Sequence, residues 1–512
     1  MEGVAIVAAR QDGQMRFSPT ITPLVFLILA VACSTTAQNI DYEAALELKD
    51  QERWAEALVA LETVLDREPE NAEAWLGRGV VHEALDQSQL AINDFSEAIR
   101  LAPQMTDAYS RRGAIYLKRE QFEEAVADFT SVLDADPSDV DSFFGRSAVY
   151  RKLERYDDAI SDLGEILEFD SESDRAYAER AATHGEAGRW EEAIADLDEA
   201  LRLDGDNTGY LNARATAHGQ IEQYVEAADD FSEVIRRNRD DPTAYFKRAN
   251  AYSDMGDQER AIQDYDEAIR LDPEYTEAYL LRGASYSVLG RPDRAIEDYD
   301  VAIRLDPELI DAYLFRGTSY SELGGHVEAV RDYNEILRLD PENAAARTNR
   351  GNSYASVGQF EAALEDFEES ARLDPTIPQT FNTKGALYYQ MGEYKQAADD
   401  FTAAIRLAPK YIGAYLNRAS TWLYLGFFER AVGDLDFVLE MQPQIPMAYV
   451  NRAVAYTMLG QDEKAADDVE LAAGMGINLA AASEFLQSIR EQRDERPAPT
   501  PIRDPTGGSV VP

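Results

Sequence analysis

Histidine and cysteine are the residue types here that could hold a metal ion or act as nucleophiles, and the chain has four histidines and one cysteine. His82, His184 and His218 share one position of a repeating pattern in which other copies carry mostly Tyr or Trp, and His326 occupies another aromatic position. We therefore interpret all four as substitutes for packing rings, and we predict no metal site and no cofactor. The single cysteine, Cys33, excludes an internal disulfide and a thiolate metal cluster.

Carboxylates are abundant, but their arrangement is not typical of a catalytic or calcium site. The stretch 204–207 begins like a calcium loop, yet Thr208 and Ala215 stand where such a loop needs further ligands. The sequence also lacks a nucleophile elbow, a phosphate loop, an HExxH motif and a Gly-rich dinucleotide fingerprint. It therefore predicts a protein that is not an enzyme.

The charge of the chain is strongly unbalanced. Its 96 acidic residues outnumber 49 Lys and Arg, which gives a formal net charge of −47 at pH 7. Nucleic acid and anionic membrane surfaces attract basic proteins, so we exclude both as direct partners. Two interpretations of the acidity stay open: it keeps the protein soluble, or it favours a basic partner.

The elements that position these residues come from one recurring unit, which Thr276–Leu309 shows most plainly. When the unit is numbered 1 to 34, small or large apolar residues recur at positions 4, 8 and 11 and again at 20, 24 and 27. This spacing predicts one buried face on each of two helices. Gly290 at position 15 suits a left-handed turn after the first helix, and Pro307 at position 32 suits the end of the second.

Thirteen such units run from Gln38 to Leu479 without insertion or deletion, and every unit has Ala at position 20. Small residues at positions 8 and 20 let two antiparallel helices approach closely, and a large residue at position 24 fills the space beside them. The pattern resembles the tetratricopeptide repeat family over all thirteen units, which make up most of the chain. The resemblance implies an all-α, right-handed superhelical solenoid of thirteen helix-turn-helix repeats, completed by a C-terminal capping helix.

Two charged positions also recur. In the twelve units from Ala72 onward, position 7 is Arg or Lys and position 23 is Asp. The two positions lie at similar heights on neighbouring helices, which predicts a ladder of ion pairs along the array. We interpret the ladder as a device that sets helix register, and we expect about 0–1 kcal/mol from each pair if it is exposed.

The N-terminal segment, residues 1–37, has the features of a secretory signal. Its apolar run, Ile21–Ala32, follows Arg16 and is about twelve residues long, whereas a membrane-spanning helix needs roughly 20. Met1 and Met15 both stay open as the start of translation.

A lone cysteine directly after an apolar run is typical of a bacterial lipoprotein. The run ending in Cys33 resembles a lipobox, although Ala30 stands where Leu is usual and Leu29 lies one place earlier. We predict lipidation at Cys33. Ordinary signal cleavage after Ala32 or Ala37 is the alternative, since both follow a small-x-small pattern.

Variation among the units divides the chain further. We predict a repeat array over residues 38–479 with sub-arrays 38–241 and 242–479, because position 15 changes from mostly acidic to always glycine. Residues 480–490 carry an apolar stripe that predicts a capping helix. Residues 491–512 are rich in Pro, Gly and charge, which predicts a disordered tail.

In the family that the sequence resembles, first helices line a concave groove with positions 2, 5, 9 and 12. Members that grip a C-terminal carboxylate use Lys at position 5 and Asn at position 9, and no unit here has that pair. The candidate partner-binding residues form an apolar strip followed by polar groups: Phe246, Asn250, Leu280, Leu314, Thr348, Asn349, Asn352 and Asn382. Amides can hydrogen-bond an extended peptide backbone. The competing interpretation is that these are ordinary exposed positions.

We therefore predict a non-catalytic scaffold or adaptor of the bacterial cell envelope, similar to tetratricopeptide lipoproteins. It would be lipid-anchored, would face the periplasm or the exterior, and would bind a basic or apolar protein or peptide segment in the groove. Membrane contact would be made only through the anchor. Two alternatives stay open: a secreted or periplasmic structural protein that self-associates, and a regulatory subunit of an envelope enzyme.

Overall fold

The computed structural model describes residues 42–495, and within this range it contains helices and no strand. The 27 helices of the described residues are α1 (Tyr42–Asp50), α2 (Trp54–Arg67), α3 (Ala72–Ala84), α4 (Ser88–Leu101), α5 (Thr106–Lys118), α6 (Phe122–Ala135), α7 (Val140–Lys152), α8 (Tyr156–Phe169), α9 (Asp174–Glu186), α10 (Trp190–Leu203), α11 (Thr208–Gln220), α12 (Tyr224–Arg237), α13 (Pro242–Asp254), α14 (Gln258–Leu271), α15 (Thr276–Val288), α16 (Pro292–Leu305), α17 (Ile310–Glu322), α18 (His326–Leu339), α19 (Ala344–Ser356), α20 (Phe360–Leu373), α21 (Pro378–Gln390), α22 (Tyr394–Leu407), α23 (Ile412–Leu425), α24 (Phe428–Met441), α25 (Pro446–Met458), α26 (Asp462–Gly474) and α27 (Leu479–Glu495). The predicted all-α solenoid of helix-turn-helix repeats is confirmed.

Contacts within the chain define two compact units that divide between Val234 and Ile235, inside α12. We call them the N-terminal unit and the C-terminal unit. In both, a helix packs against its neighbours along the chain, and the first helices of successive repeats also meet. The predicted boundary between sub-arrays at residues 241 and 242 stays a prediction.

Small residues bring the two helices of each repeat together, as the sequence predicts. Ala295 is fully buried, and a Cβ added to Gly283 would lie only 2.6 Å from the Tyr299 ring. The ring therefore fills the space that these two small residues leave. Around it lie Ala302 and, from the next repeat, Ala312. The core is thus a series of small clusters, each shared by adjacent repeats.

A left-handed residue at position 15 ends the first helix of the repeats. Gly290 has φ +69°, and its N–H donates to the Ser287 carbonyl at 2.9 Å. The same position adopts φ values of 56° to 61° in the acidic residues Glu52, Asp86, Glu120, Glu154 and Glu222. A residue with a Cβ loses roughly 1–2 kcal/mol in this conformation. The acidic turns therefore carry backbone strain that the glycine turns lack.

The predicted ladder forms in all twelve repeats from Ala72 onward. Arg282 donates from Nε and Nη2 to the two Asp298 oxygens at 2.9 and 2.6 Å, and Asp298 is only 4% exposed. The value for an exposed pair therefore does not apply, because Asp298 is buried and breaking a buried pair costs about 3–5 kcal/mol. Many rungs also reach the preceding repeat, as when Arg350 Nη1 donates to Asn334 Oδ1 at 2.6 Å.

The last described helix, α27, covers the final repeat. Ala482 and Leu486 are buried against Val469 and its neighbours. Arg493 Nη1 donates to the Thr457 carbonyl at 2.7 Å. These contacts hide the apolar end that an uncovered terminal repeat would expose to water.

The predicted signal at residues 1–37, the lipid anchor at Cys33 and residues 496–512 of the predicted tail lie outside the described residues. The predicted start of the tail at residue 491 is wrong, because residues 491–495 continue the capping helix α27. Across residues 42–495, every helix is too short or too polar to cross a membrane.

Candidate functional site

The histidines lie within the helical packing of the repeats. His82 is 7% exposed, and its Nδ1 lies 2.6 Å from Gln87 Oε1 while its Nε2 lies 3.6 Å from Asp94. His184 Nε2 lies 3.9 Å from Asp196 in the equivalent place. Over residues 42–495, no three His, Cys, Asp or Glu side chains are grouped to hold a metal ion. The histidine contacts are those of packing rings with a polar edge.

The apolar candidates Phe246, Leu280 and Leu314 lie on successive first helices of the C-terminal unit. The Phe246 ring centroid is 4.8 Å from that of Tyr275 and 5.9 Å from that of Tyr265. Leu280 is 8% exposed, and the half-buried Leu314 packs against the core of its own repeat. The competing interpretation, that these are ordinary exposed positions, is wrong for these three side chains, because position 5 faces the junction between repeats.

Thr348 is also interior, with 4% of its surface exposed. Its hydroxyl oxygen lies 2.8 Å from that of Ser370 and 2.7 Å from that of Thr380 in the next repeat. Ser370 in turn donates to the Ala344 carbonyl at 2.8 Å. Thr348 therefore joins two repeats, and its expected exposure is wrong as well.

The four candidate asparagines, in contrast, are only half-buried. Asn250 Oδ1 accepts from the Tyr265 hydroxyl at 2.6 Å, and Asn382 Oδ1 accepts from Asn417 Nδ2 of the next first helix at 3.1 Å. The side chains of Asn349 and Asn352 lie on α19. The partner-binding role of the whole candidate set stays a prediction.

Sequence reasoning missed three further apolar residues of these first helices. Phe315 is 37% exposed and Val288 is 71% exposed, while Leu281 is half-buried. Leu281 and Phe315 occupy position 6 of their repeats, and Val288 occupies position 13. Positions 2, 6, 9 and 13 follow helical spacing and form the outer stripe of each first helix, which we call the first-helix face. That spacing was the signal available in the sequence.

Acidic side chains border this apolar surface in the repeats that begin at residues 242, 276 and 310. Glu277 and Asp311 lie at position 2, Asp254 and Glu322 lie at position 13, and all four are exposed. Burial raises the pKa of Asp254 above its ordinary value. We call this region the acid-flanked strip, which consists of Leu281, Val288, Phe315, Asp254, Glu277, Asp311 and Glu322.

The first-helix face of the N-terminal unit has a different character. Arg111 Nη1 lies 3.1 Å from Glu83 of the preceding first helix. Arg151 Nη1 lies 2.6 Å from Glu179, and its Nη2 lies 2.5 Å from Glu186. Each of these ion pairs thus joins a residue of this face, namely Arg111, Glu179 or Glu186, to a residue at position 12 of the preceding repeat.

Comparison with known proteins agrees with this architecture. Tetratricopeptide repeat models match residues 42–106, 111–175, 178–244, 246–310, 344–377, 378–411 and 416–478. The chain is similar to the probable UDP-N-acetylglucosamine–peptide N-acetylglucosaminyltransferase SPINDLY of Arabidopsis thaliana, at 33% identity over 76 residues. That match covers 15% of this chain and 8% of the relative.

A second relative is tetratricopeptide repeat protein 34 of Homo sapiens, 32% identical over 103 residues, or 20% of this chain and 18% of that protein. The chain thus spans less than a fifth of the length of either curated relative. Among solved structures, the Cut9–Hcn1 hetero-tetramer of APC/C matches with 15% identity and a TM-score of 0.41, over 92% of this chain and 98% of that chain.

The matched models extend over most of the array, and the thirteen repeats carry the spacing on which those models rest. Proteins built from this repeat are generally scaffolds for protein interaction, and the fold is typically not catalytic. This chain belongs to the tetratricopeptide repeat family.

Proposed function

We propose that this protein is a scaffold that binds an extended segment of a partner protein on the acid-flanked strip and has no catalytic activity of its own. One observation carries the proposal: Leu281 and Phe315 lie at position 6, between exposed carboxylates at positions 2 and 13 of these first helices. Val288 extends the apolar surface into the position-13 row, where it stands between Asp254 and Glu322 in repeat order. Scattered apolar residues on a surface are ordinary, but a bordered strip on successive helices is typical of an interaction site.

The two parts of the strip make different contributions to binding. Full burial of a large apolar side chain contributes about 1.5–3 kcal/mol, so Phe315 would supply affinity. The carboxylates of Glu277 and Asp311 would attract Lys or Arg over a distance of about 10 Å at 0.1 M salt. A segment with both basic and apolar side chains therefore fits the strip best, and its binding should weaken as salt rises.

The half-buried Phe246 and Leu314 form the floor of the strip. Since both pack against repeat cores, changing them to Ser would disturb folding together with binding. The flanking carboxylates are the better positions for a test, because they are exposed. Phe315 is 37% exposed and its ring centroid lies 5.9 Å from that of the buried Tyr299, so circular dichroism must verify the fold of any Phe315 variant.

The test uses a display library of random 16-residue peptides sorted on the full-length protein. We expect enrichment of segments that combine Lys or Arg with apolar residues. Two variants should then lower the affinity of the enriched peptides about tenfold or more, a loss of about 1.4 kcal/mol: Phe315→Ser, and Glu277→Lys combined with Asp311→Lys.

The matched control is Asp293→Lys combined with Glu361→Lys. These two acidic residues also lie in the first turns of helices, but on the second helices α16 and α20, so the variant changes the net charge equally. The control should retain affinity. If the affinity falls equally in both charge variants, binding depends on long-range attraction alone, and the strip is not the binding site.

We also propose that the protein is held at the bacterial cell envelope by a lipid on Cys33, facing the periplasm or the exterior. An apolar run followed at once by the only cysteine supports this. Cys33→Ala should move the expressed protein from the membrane fraction to the soluble fraction, and mass spectrometry should find a lipidated peptide beginning at Cys33. An unmodified N-terminus at Cys33 or Gln38 would reject the anchor and leave the strip untouched.

A further inference from the structure

The first helices of the last four repeats, α19, α21, α23 and α25, are almost free of charge in a chain that is 28% charged. They contain no Asp or Glu. Their charged residues are Arg347 at position 4 and the four ladder cations at position 7, namely Arg350, Lys384, Arg418 and Arg452. Positions 2, 6, 9 and 13 of these helices are therefore uncharged throughout. We call these positions the neutral face.

The five cations point toward the second helices instead of the neutral face. Arg350, Lys384, Arg418 and Arg452 pair with ladder aspartates at 2.6 to 3.1 Å. Arg347 Nη1 lies 3.8 Å from Asp366, and its Nη2 donates to the Pro341 carbonyl at 3.1 Å. No cation of these helices is left to bind an acidic ligand.

The missing charge is a property of one face and not of the region. The second helices of the same repeats are rich in acid: α20 alone reads FEAALEDFEESARL. The lack of charge is therefore not needed for solubility in this region. The helical carboxylates of these repeats lie on the second helices, and the first helices have none. The composition of the neutral face demands a separate explanation.

Amides and exposed apolar side chains occupy the neutral face. Asn349, Asn352, Asn417 and Asn451 project from it, each with a donor and an acceptor. Asn417 reaches Asn382 on the preceding first helix at 3.1 Å. Such a surface can satisfy peptide N–H and C=O groups without requiring an ionic partner.

A cluster of three tyrosines lies at the edge of this face. Tyr394 and Tyr424 stack with ring centroids 5.0 Å apart, and Tyr389 meets both rings at 5.4 Å. Tyr424 is nevertheless 65% exposed. Burial and the neighbouring Tyr424 raise the pKa of Tyr389 above its ordinary value. The edge offers ring surface and hydroxyl groups, again without charge.

We propose that the neutral face binds an uncharged stretch of the same partner segment whose basic and apolar part occupies the acid-flanked strip. This inference rests on the proposed function. A charged side chain buried against the neutral face would lose its hydration without gaining a counter-ion, which is costly. An uncharged stretch loses little and keeps its backbone hydrogen bonds.

The size of the stretch follows from helix spacing. Packed helices lie about 8–10 Å apart, so three steps between four first helices span on the order of 30 Å. An extended chain rises about 3.3 Å per residue, which corresponds to roughly nine residues. The ligand therefore has two parts: a basic and apolar block, and a longer uncharged block.

The experiment repeats the library sort with the full-length protein and with a variant of the neutral face. The face variant combines Asn352→Asp with Gln390→Glu, which adds two carboxylates with little change of side-chain shape. The control likewise changes two amides to carboxylates, outside the face at exposed positions, Gln359→Glu combined with Gln444→Glu. Circular dichroism and light scattering verify fold and oligomeric state.

The expected result is enrichment of two-block peptides on the wild type and on the control. Their affinity should fall about tenfold in the face variant, while their salt dependence, which arises at the strip, stays the same. Enriched peptides with Lys or Arg along their whole length, or affinities that the face variant leaves unchanged, would overturn the inference.

The outcomes also separate this inference from the proposed function. If the strip variants abolish binding and the face variant does not, the neutral face is not a subsite and the strip remains. If neither set of variants affects binding, both fail. A face variant that converts a dimer to a monomer would assign the neutral face to a second copy of the chain and overturn the inference.

Discussion

The two units use the same repeat interior and differ at their surfaces. In the N-terminal unit, first-helix charges such as Arg151 pair with Glu179 and Glu186 of the following repeat. In the last four repeats of the C-terminal unit, the corresponding surface has no charges to pair. Positions 8, 20, 23 and 24 lie in the interior of the repeat, so packing restricts them to similar residues in both units. Positions 2, 6, 9 and 13 lie at the surface, so their residue types can differ between the units.

The turns differ in a parallel way. Five of the six left-handed turns in the N-terminal unit use Glu or Asp, and all seven repeat turns of the C-terminal unit use Gly. The N-terminal unit thus links neighbouring first helices by ion pairs and has more strain in its turns, whereas the C-terminal unit links them by hydrogen bonds such as that between Thr348 and Thr380. Four predictions test how far this contrast extends.

The largest effect should come from the ladder and should be alike in both units. Asp162→Asn and Asp434→Asn each leave a half-buried guanidinium without its bidentate carboxylate, at a cost of about 3–5 kcal/mol. The two sites are matched, because Arg146 and Arg418 each also donate to a Thr hydroxyl of the preceding repeat. Hydrogen exchange should locate the loss in the altered repeat and its neighbours. The exposed Asp293→Asn serves as the control. A large cost in one unit only would show that the units differ in their interiors as well.

A swap of turn residues should change stability in opposite directions. Gly290→Glu should cost about 1–2 kcal/mol through φ strain alone, because a Cβ there meets nothing within 4 Å. Glu154→Gly should gain less, about 0.5–1 kcal/mol, because glycine loses more chain entropy on folding. Urea denaturation of each variant measures the shift. Stabilisation by Gly290→Glu would mean that strain is not the difference between the turns.

A smaller gain should follow from supplying a missing link between repeats. Arg214 Nη1 lies 2.6 Å from Asp198 of the preceding repeat, but the equivalent residue before Arg180 is Gly164. A Cβ added to Gly164 meets only Arg180 Nη1, at 4.0 Å. Gly164→Asp should therefore stabilise the N-terminal unit.

The control for this prediction is Gly164→Ala, which removes the helical cost of glycine, about 1 kcal/mol, without adding a carboxylate. Asp is a poorer helix former than Ala by about 0.6 kcal/mol, while an added ion pair contributes about 0.2–1 kcal/mol. The introduced carboxylate pairs with Arg180 if the Gly164→Asp variant is more stable at low salt than at high salt and the Gly164→Ala variant shows no such salt dependence.

The smallest effect concerns pH and the N-terminal unit. Burial lowers the pKa of His184 below its ordinary 6.5, the nearby Arg180 and Arg189 act in the same direction, and Asp196 and Glu192 oppose them. The folded state therefore binds the proton less tightly than the unfolded chain, so stability present above pH 6.5 is lost as pH falls toward the lower folded pKa. His184→Tyr should remove this loss.

Melting temperatures at pH 7.5 and 5.5 measure the effect, with hydrogen exchange assigning it to the repeat of residues 174–207. Tyr is the residue that other repeats carry at this position, so the substitution should be tolerated. An unchanged difference between the two pH values in the variant would place the pH response elsewhere, for example in the carboxylates.

Much of the fold could be predicted from the sequence because each repeat specifies itself locally. Gly283, Ala295 and Tyr299 belong to the same repeat, and their sizes alone require two close helices with a ring between them. The ladder followed from similar reasoning, since a charge at position 7 and one at position 23 meet within one repeat. Its strength did not follow, because the burial of Asp298 depends on the next repeat as well.

The candidate site was harder to predict because it is made between repeats. The sequence alone determined the helix pairs, their turns and the ladder, since those depend on contacts within a single repeat. Only the tertiary structure decided that Leu280 and Thr348 are interior while Phe315 is exposed. The physical reason is that position 5 is covered by the neighbouring repeat, as when Thr348 meets Thr380, 32 residues away. Position 6, one residue on, points outward in Phe315, which is 37% exposed.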